Sequence, residues 1–280
     1  MPVSDSRVSD SPVSDPRCAV LVPSCDDYSD LWRPFWTLFW RHWPDCPFPV
    51  FLGSNGLAYD DARVTTLGAC GGRNWTNRVR EQLRALDTPY VLMILEDFFF
   101  RARVNTPDVL RALDAAQALD AVAVRLIPRP GPDVAVPGFA NLGRILPGAP
   151  YRVSTQAAIW RREALIDLMR TDESIWEFEL KGSERTRPIP DGFFGVFHPI
   201  LTYRHHVVER GQWFRHEARR FGRMDIGCDF TRRPIMSVPT ALRWRAQKTV
   251  GVLFDLIPWP QRLKLKRWLR GGAQPTASIT

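Results

Sequence analysis

The sequence predicts an α/β domain with a mostly parallel central sheet, followed by a basic helical appendage at the C-terminal end. Three observations predict it. Short, continuously apolar runs stopped by turn residues read as strands covered on both faces. Segments with apolar residues at helical spacing alternate with these runs, the pattern of a parallel sheet wrapped by helices. Charge is also uneven: of the 38 Lys and Arg behind the formal net charge of +8, ten lie beyond Thr231 beside a single acid, Asp255.

Taken in order, residues 1–16 repeat Val-Ser-Asp at five-residue spacing with little apolar surface, so a disordered leader is expected there. The folded domain is expected over 17–230. Cys18-Ala-Val-Leu-Val22 is its first strand, ending in the polar turn Pro23–Asp30 and an aromatic-rich helix from Leu31 to Trp43. Pro49–Asn55 and Arg63–Leu67 read as the second and third strands, and Asn74–Leu86 as a helix. Pro89-Tyr-Val-Leu-Met-Ile-Leu95 is the strongest buried-strand candidate and runs directly into Glu96-Asp97-Phe-Phe-Phe100. Thr106 reads as an N-cap with Pro107 at the first helical position, opening a helix to Leu119. Ala121–Ile127 is a further strand and 128–150 a Pro/Gly-rich loop, after which come Tyr151–Thr155 and a helix over Gln156–Arg170. Basic amphipathic helices are expected over 231–270 and a disordered tail over 271–280.

Composition narrows the function class. Hydrophobic residues at 45% and charged residues at 24% are ordinary for a soluble globular chain. The 11 Trp are not ordinary, since indole rings fill cores but also stack on ligands. Five cysteines, odd in number and without a C-x-x-C spacing, argue against a disulfide framework or a zinc site and for a reducing compartment. The N-terminus carries no apolar stretch of signal-peptide type, and the longest apolar run, Val91–Phe100, is interrupted by two acids and too short to span a bilayer. The expected location is therefore the cytoplasm. Because the positive charge sits in the tail, the main domain lacks the electrostatic footprint of a nucleic-acid partner.

The residues that can do chemistry begin with Glu96-Asp97. Two carboxylates at the carboxyl end of a buried strand lie where open α/β sheets bind ligands. Their oxygens suit Mg²⁺ or Mn²⁺, which neutralises a diphosphate and stabilises it as a leaving group. Trp176-Glu-Phe-Glu179 sets two carboxylates, a residue type able to accept a proton, beside an aromatic. A competing reading is structural, because Ser174-Ile-Trp-Glu177 fits a capping box and Glu177 then only closes a helix start. His198, His205 and His206 arrive late in the domain, where a His is more often structural or solvated than metal-bound. Arg204 and Arg210 can hold anionic oxygens.

Several of these segments occur together and in order: Pro-Ser-Cys-Asp-Asp-Tyr-Ser-Asp-Leu-Trp after the first strand, Leu-Glu-Asp-Phe-Phe after the fourth, Trp-Glu-Phe-Glu at 176–179 and Arg-Gly-Gln-Trp at 210–213. The set, covering roughly residues 17–225, resembles bacterial GT-A fold glycosyltransferases of the surface-polysaccharide type, which build lipopolysaccharide and capsule. That resemblance implies a GT-A-like, Rossmann-type domain that moves a sugar from a nucleotide-sugar donor to a glycan or lipid-linked acceptor. It assigns nucleotide contacts to Pro23, Ser24, Asp26 and Asp30, and places Glu96 and Arg210 at the diphosphate. Metal binding falls to Asp97 with Glu96, helped by His205 or His206. The pair departs from the family's Asp-x-Asp, having Leu95-Glu96-Asp97 instead, and Asp97 matches best. Glu179 stands nearest the family's catalytic acid, with Glu177 as the alternative and Trp176 on the acceptor. A nucleotidyltransferase acting on a sugar phosphate is the rival enzyme class, although Pro-Ser-Cys-Asp-Asp-Tyr lacks the Gly-rich, Arg/Lys-containing loop of that class. A catalytically silent, membrane-associated binding protein is the third reading. The tail sets Trp244, Trp259 and Trp268 among its cations, as a segment lying on an anionic membrane surface does, at the inner face of the cell membrane. A basic helix packed on the domain fits the same residues.

Overall fold

The computed structural model describes residues 15–68 and 74–242. The expected leader, apart from its last two residues, and the tail from 243 onward lie outside the described residues. β1 (Cys18–Pro23) is followed by a 3-10 turn (Asp26–Tyr28), α1 (Ser29–His42), β2 (Val50–Ser54), β3 (Thr65–Gly68), α2 (Trp75–Arg84) and β4 (Tyr90–Met93). Then come β5 (Phe99–Phe100), α3 (Thr106–Ala118), β6 (Ala123–Arg125), β7 (Val134–Ala135), β8 (Leu142–Arg144), β9 (Ala158–Arg161) and α4 (Arg162–Leu168). The described chain continues with α5 (Ile175–Arg185), β10 (Phe193–Val196), β11 (Tyr203–Arg204), β12 (Val208–Glu209), β13 (Gln212–Trp213) and α6 (Arg215–Phe221).

The architecture is α/β, of Rossmann type, around a mostly parallel central sheet in the order β3-β2-β1-β4-β9-β6-β10-β8-β7. Seven of its nine strands run in one direction; β8 and β9 oppose them. β1 lies between β2 and β4, Val20 pairing with Val50 on one side and Leu92 on the other. The alternation of side chains along β1 explains why the whole strand is apolar. Cys18, Val20 and Val22 join the core beneath α1 and α3, while Ala19 and Leu21 join the one beneath α2, α4 and α5. A strand covered on both faces has no position left for a polar residue. The chain order reverses at β1, with β2 on one side and β4 on the other, so the connections leaving their carboxyl ends diverge and open a crevice.

Two local expectations are corrected. The helix expected from Gln156 to Arg170 is a strand followed by a shorter helix. β9 enters between β4 and β6, antiparallel to both, and buries Ala158, Ile159 and Trp160. So short an apolar run has no periodicity that separates strand from helix. Thr106 is the first helical residue rather than the N-cap, which is Asn105. Its hydroxyl is drawn into the core instead, donating to Asp45 Oδ2 (2.7 Å) and accepting from Trp43 Nε1 (2.9 Å). The loop at 128–150 also contains β7 and β8, which extend the sheet past β10.

Candidate active site

At the carboxyl ends of β1 and β4 lies a cavity of about 520 Å³. Its floor is built by the turn out of β4. The apolar strand residues hold this turn from one side, and the three phenylalanines after it hold it from the other. Phe98 stacks on Tyr203 (4.9 Å between centroids), Phe99 packs on Trp213 and Phe221, and Phe100 packs on Phe35 and Phe39. Glu96 and Asp97 are thus fixed in place between two anchored segments. β5 pairs with β11, Phe100 opposite Tyr203, which returns a late part of the chain over the turn. Val207 N then donates to Asp97 O (3.1 Å), and His206, in left-handed backbone (φ 50°), brings Nδ1 to 3.3 Å from Asp97 Oδ2.

Glu96 is 7% exposed. Burial, reinforced by the neighbouring Asp97 charge, raises its carboxyl well above the usual carboxylate range. Burial alone would lower the His206 imidazole, but the Asp97 carboxylate outweighs it and the imidazole is raised. Asp97 Oδ1 is buried with no hydrogen-bond partner among the described residues. An acceptor left bare in this way costs stability unless a ligand or cation meets it.

The opposite wall comes from α5. Ser174 caps this helix with the expected box: its amide donates to Glu177 Oε2 (3.0 Å), and Glu177 N donates back to Ser174 Oγ (3.3 Å). Lys181, hydrogen-bonded to Glu177, leads the causes that hold that carboxyl down at about 2. Glu177 is not among the residues that line the cavity. Of the two readings of Glu177, the structure displays the capping box. Two residues on, Glu179 is buried and lines the cavity. Its Oε1 accepts from Thr155 N (2.7 Å), Thr155 Oγ1 (2.9 Å) and Ser154 Oγ (3.3 Å), and none of these contacts uses Oε2. Trp176 stands at the rim, 58% exposed.

The residues expected at the nucleotide divide into two groups. Pro23, Ser24, Glu96 and Arg210 line the cavity; Asp26 and Asp30 do not. Asp26 Oδ1 accepts from the amides of Asn55, Gly56 and Leu57 (3.0–3.2 Å), latching the loop after β2 to the loop after β1. Asp30 is buried against Arg233, with Oδ1 2.9 Å and Oδ2 3.1 Å from guanidinium nitrogens. Both oxygens of Asp30, and Oδ1 of Asp26, are thus engaged within the protein. Arg210 stands at the tip of the β12–β13 hairpin, where Arg210 and Gly211 (φ 49° and 73°) make the left-handed two-residue turn such a hairpin requires. His206 lines the cavity, whereas His205 packs on Tyr203 and Phe98 outside it. The lining also includes residues that sequence reasoning did not single out, among them Tyr28, Trp75, Arg78, Thr155 and Gln156. Trp75 and Arg78, three apart on α2, carried the one signal that could have been read, an aromatic and a cation on one helix face.

Among the described residues no group of three or more His, Cys, Asp or Glu side chains is gathered to hold a metal ion. Asp97 and His206 offer two donors, a carboxylate and an imidazole. The carboxylate suits Mg²⁺ or Mn²⁺, which are held through one or two carboxylates with phosphate oxygens and water in the remaining positions, and a neutral imidazole can add a nitrogen ligand beside it. No helix among the described residues is long and apolar enough to cross a membrane.

No protein-family model matches the chain, and no curated protein sequence matches it. Solved structures to which the chain shows some similarity include mannosyltransferase PcManGT from Pyrobaculum calidifontis in complex with GDP-Man and Mn²⁺ (18% identity, TM-score 0.46, covering 71% of this chain and 59% of that one). S. aureus TarS 1-349 in complex with UDP is 13% identical (TM-score 0.44, 67% of this chain and 59% of that one). The 2-C-methyl-D-erythritol 4-phosphate cytidylyltransferase of Thermus thermophilus is 17% identical (TM-score 0.37, 60% of this chain and 83% of that one). The chain spans less than two thirds of the length of the first two.

Proposed function

We propose that this chain is a nucleotide-sugar-dependent glycosyltransferase that transfers a sugar to the hydroxyl of a glycan or lipid-linked acceptor. The observation that carries the reading is the composition of the cavity at the ends of β1 and β4. Asp97, with its bare Oδ1 and its His206 partner, lies on the floor, and Glu179, with Oε1 pinned and Oε2 left over, lies on the wall.

Asp97 and His206 would hold a divalent cation, which when bound neutralises the donor's diphosphate as negative charge develops on it. Ser24 and the end of β1 receive the nucleotide, and Arg210 reaches the diphosphate from the hairpin tip. Glu179 accepts the acceptor hydroxyl's proton at Oε2. The hydroxyl oxygen forms its bond to the anomeric carbon while the bond from that carbon to the diphosphate breaks, its electron pair leaving with the phosphate. Three donors on Oε1 fix the orientation of the base, which proton transfer in the transition state requires. Trp176, exposed at the rim, gives an apolar face on which the acceptor sugar stacks. The resemblance of the ordered motifs supports an acceptor of the surface-polysaccharide class, and the cationic, Trp-containing sequence after Thr231 supports work at an anionic membrane surface.

The test is a binding screen of the full chain against UDP-, GDP-, dTDP- and CMP-linked sugars in Mn²⁺, followed by transfer assays with the donor that binds. Saturable binding and release of the nucleoside phosphate with sugar transferred to a hydroxyl support the proposal. Absence of binding to every donor overturns it. Formation of a nucleotide sugar from a nucleoside triphosphate and a sugar phosphate replaces it with a nucleotidyltransferase.

A further inference from the structure

The residues that follow α6 return to the cavity and fasten both of its sides. Pro234–Met236 lies along β13: Trp213 N donates to Pro234 O (2.9 Å), and Met236 N donates to Trp213 O (2.9 Å). β13 is one arm of the hairpin whose other arm and tip supply Val208, Glu209 and Arg210 to the cavity. Arg233, immediately before this stretch, is only 7% exposed. Its Nε and Nη2 grip both oxygens of Asp30, and Nη2 also donates to Asp27 O (2.7 Å). The guanidinium carbon lies 4.4 Å from the centre of the Tyr28 ring, and Tyr28 lines the cavity beside Ser24 and Cys25.

One side chain therefore performs three tasks that need a planar, five-donor cation: a paired grip on a carboxylate, a bond to a carbonyl and a stack on an aromatic face. Lysine can satisfy only part of this set. A buried ion pair adds little net stability compared with apolar filling of the same space, so what this arrangement contributes above all is fixed geometry. We infer that Arg233 is a positioning residue: it sets Tyr28 and the loop after β1 against the 208–210 hairpin and so determines how tightly the cavity holds a nucleoside diphosphate. The inference rests on the proposed reading of the cavity for its ligand, though not for its mechanics.

Two readouts on the full chain test it, with Arg233→Met and Arg233→Lys beside the unaltered protein. The first needs no ligand: the rate at which iodoacetamide alkylates Cys25, followed peptide by peptide by mass spectrometry, with the buried Cys18 reporting that the core is intact. The second is the Kd for UDP, GDP, CDP and dTDP in Mn²⁺. Arg233→Met should raise the Cys25 rate several-fold while Cys18 stays unreactive. It should also weaken the best nucleotide about tenfold or more, because small misplacements in a site are costly. Arg233→Lys should recover part of both, and in turnover the donor KM should rise more than kcat falls. An unchanged Cys25 rate and Kd in folded Arg233→Met overturns the inference. If Cys18 becomes reactive in that variant, the folded Arg233→Lys decides by the same two readouts. Failure of the unaltered protein to bind any nucleotide sinks the transferase reading, while the Cys25 rates still decide the positioning role.

Discussion

The two acidic regions beside β1 and β4 look alike in sequence and are opposite in physics. In the loop after β1, Asp26 and Asp30 are matched: one accepts from three backbone amides, the other grips a buried guanidinium. In the turn after β4, Glu96 and Asp97 are mismatched, a buried carboxylate beside a partly buried one whose Oδ1 lacks any partner among the described residues. The matched pair holds the fold together. In the mismatched pair the bare Oδ1 costs stability until something cationic or hydrogen-donating meets it, while Asp97 Oδ2 already has its His206 contact. Acidic residues near a site are thus sorted by which oxygens are left over.

This contrast can be broken by substitution. Asp30→Ala leaves Arg233 buried and unpaired, and should cost about 3–5 kcal/mol in stability, read as a drop in the denaturant midpoint. Asp97→Asn should do the reverse, leaving thermal stability intact or raised while lowering kcat/KM by about 10²–10³, the scale of losing one preorganised electrostatic group. A loss of stability there would place Asp97 with the matched acids. Glu179→Gln should lower kcat about 10²-fold with donor binding preserved. Glu177→Gln, two residues away, should leave turnover alone and barely lower the thermal midpoint, because Gln still serves the capping box and only the Lys181 contact loses its charge. The smallest effect is at Asp26. Despite some burial, which alone would raise it, its carboxyl is held below the usual range by the three amides it accepts from. The stability this contributes is present above the unfolded value near pH 4 and is lost as pH falls through the lower folded value. Asp26→Asn should therefore flatten the acid limb of the stability curve slightly, and an unchanged limb would show that the latch carries no charge-dependent energy.

Much of this was legible in the sequence, for reasons that particular residues make clear. β1 and β4 announce themselves because a strand covered on both faces has to be apolar throughout, and the acids after β4 stand out against it. Ser174 and Glu177 were legible as a cap because the contact is local. Long-range choices were not. Asp30 meets its partner 203 residues away, and nothing in Asp-Asp-Tyr-Ser-Asp separates it from a ligand-binding acid. His206 rather than His205 enters the cavity because the β5–β11 pairing and a left-handed residue fix the direction of the chain there. Thr155, whose amide and hydroxyl hold Glu179, reads as an ordinary strand residue. β9 was missed because its four residues sit within a segment whose pattern also suits a helix.

β9 has a consequence for the order in which the molecule can be made. Residues 15–93 contain β1 to β4, with α1 and α2 available to cover them, yet the outer edge of β4 has no strand against it until residues 158–161 emerge. A nascent chain therefore displays an apolar, unpaired strand edge while more than sixty further residues are synthesised. Because β9 sits between β4 and β6, the early and late halves cannot be separated into independent units, and a fragment ending before Ala158 should be prone to edge-to-edge association. The turn bearing Glu96 and Asp97 leaves the sheet beside that exposed edge, so the cavity takes shape only once the late strand has closed it.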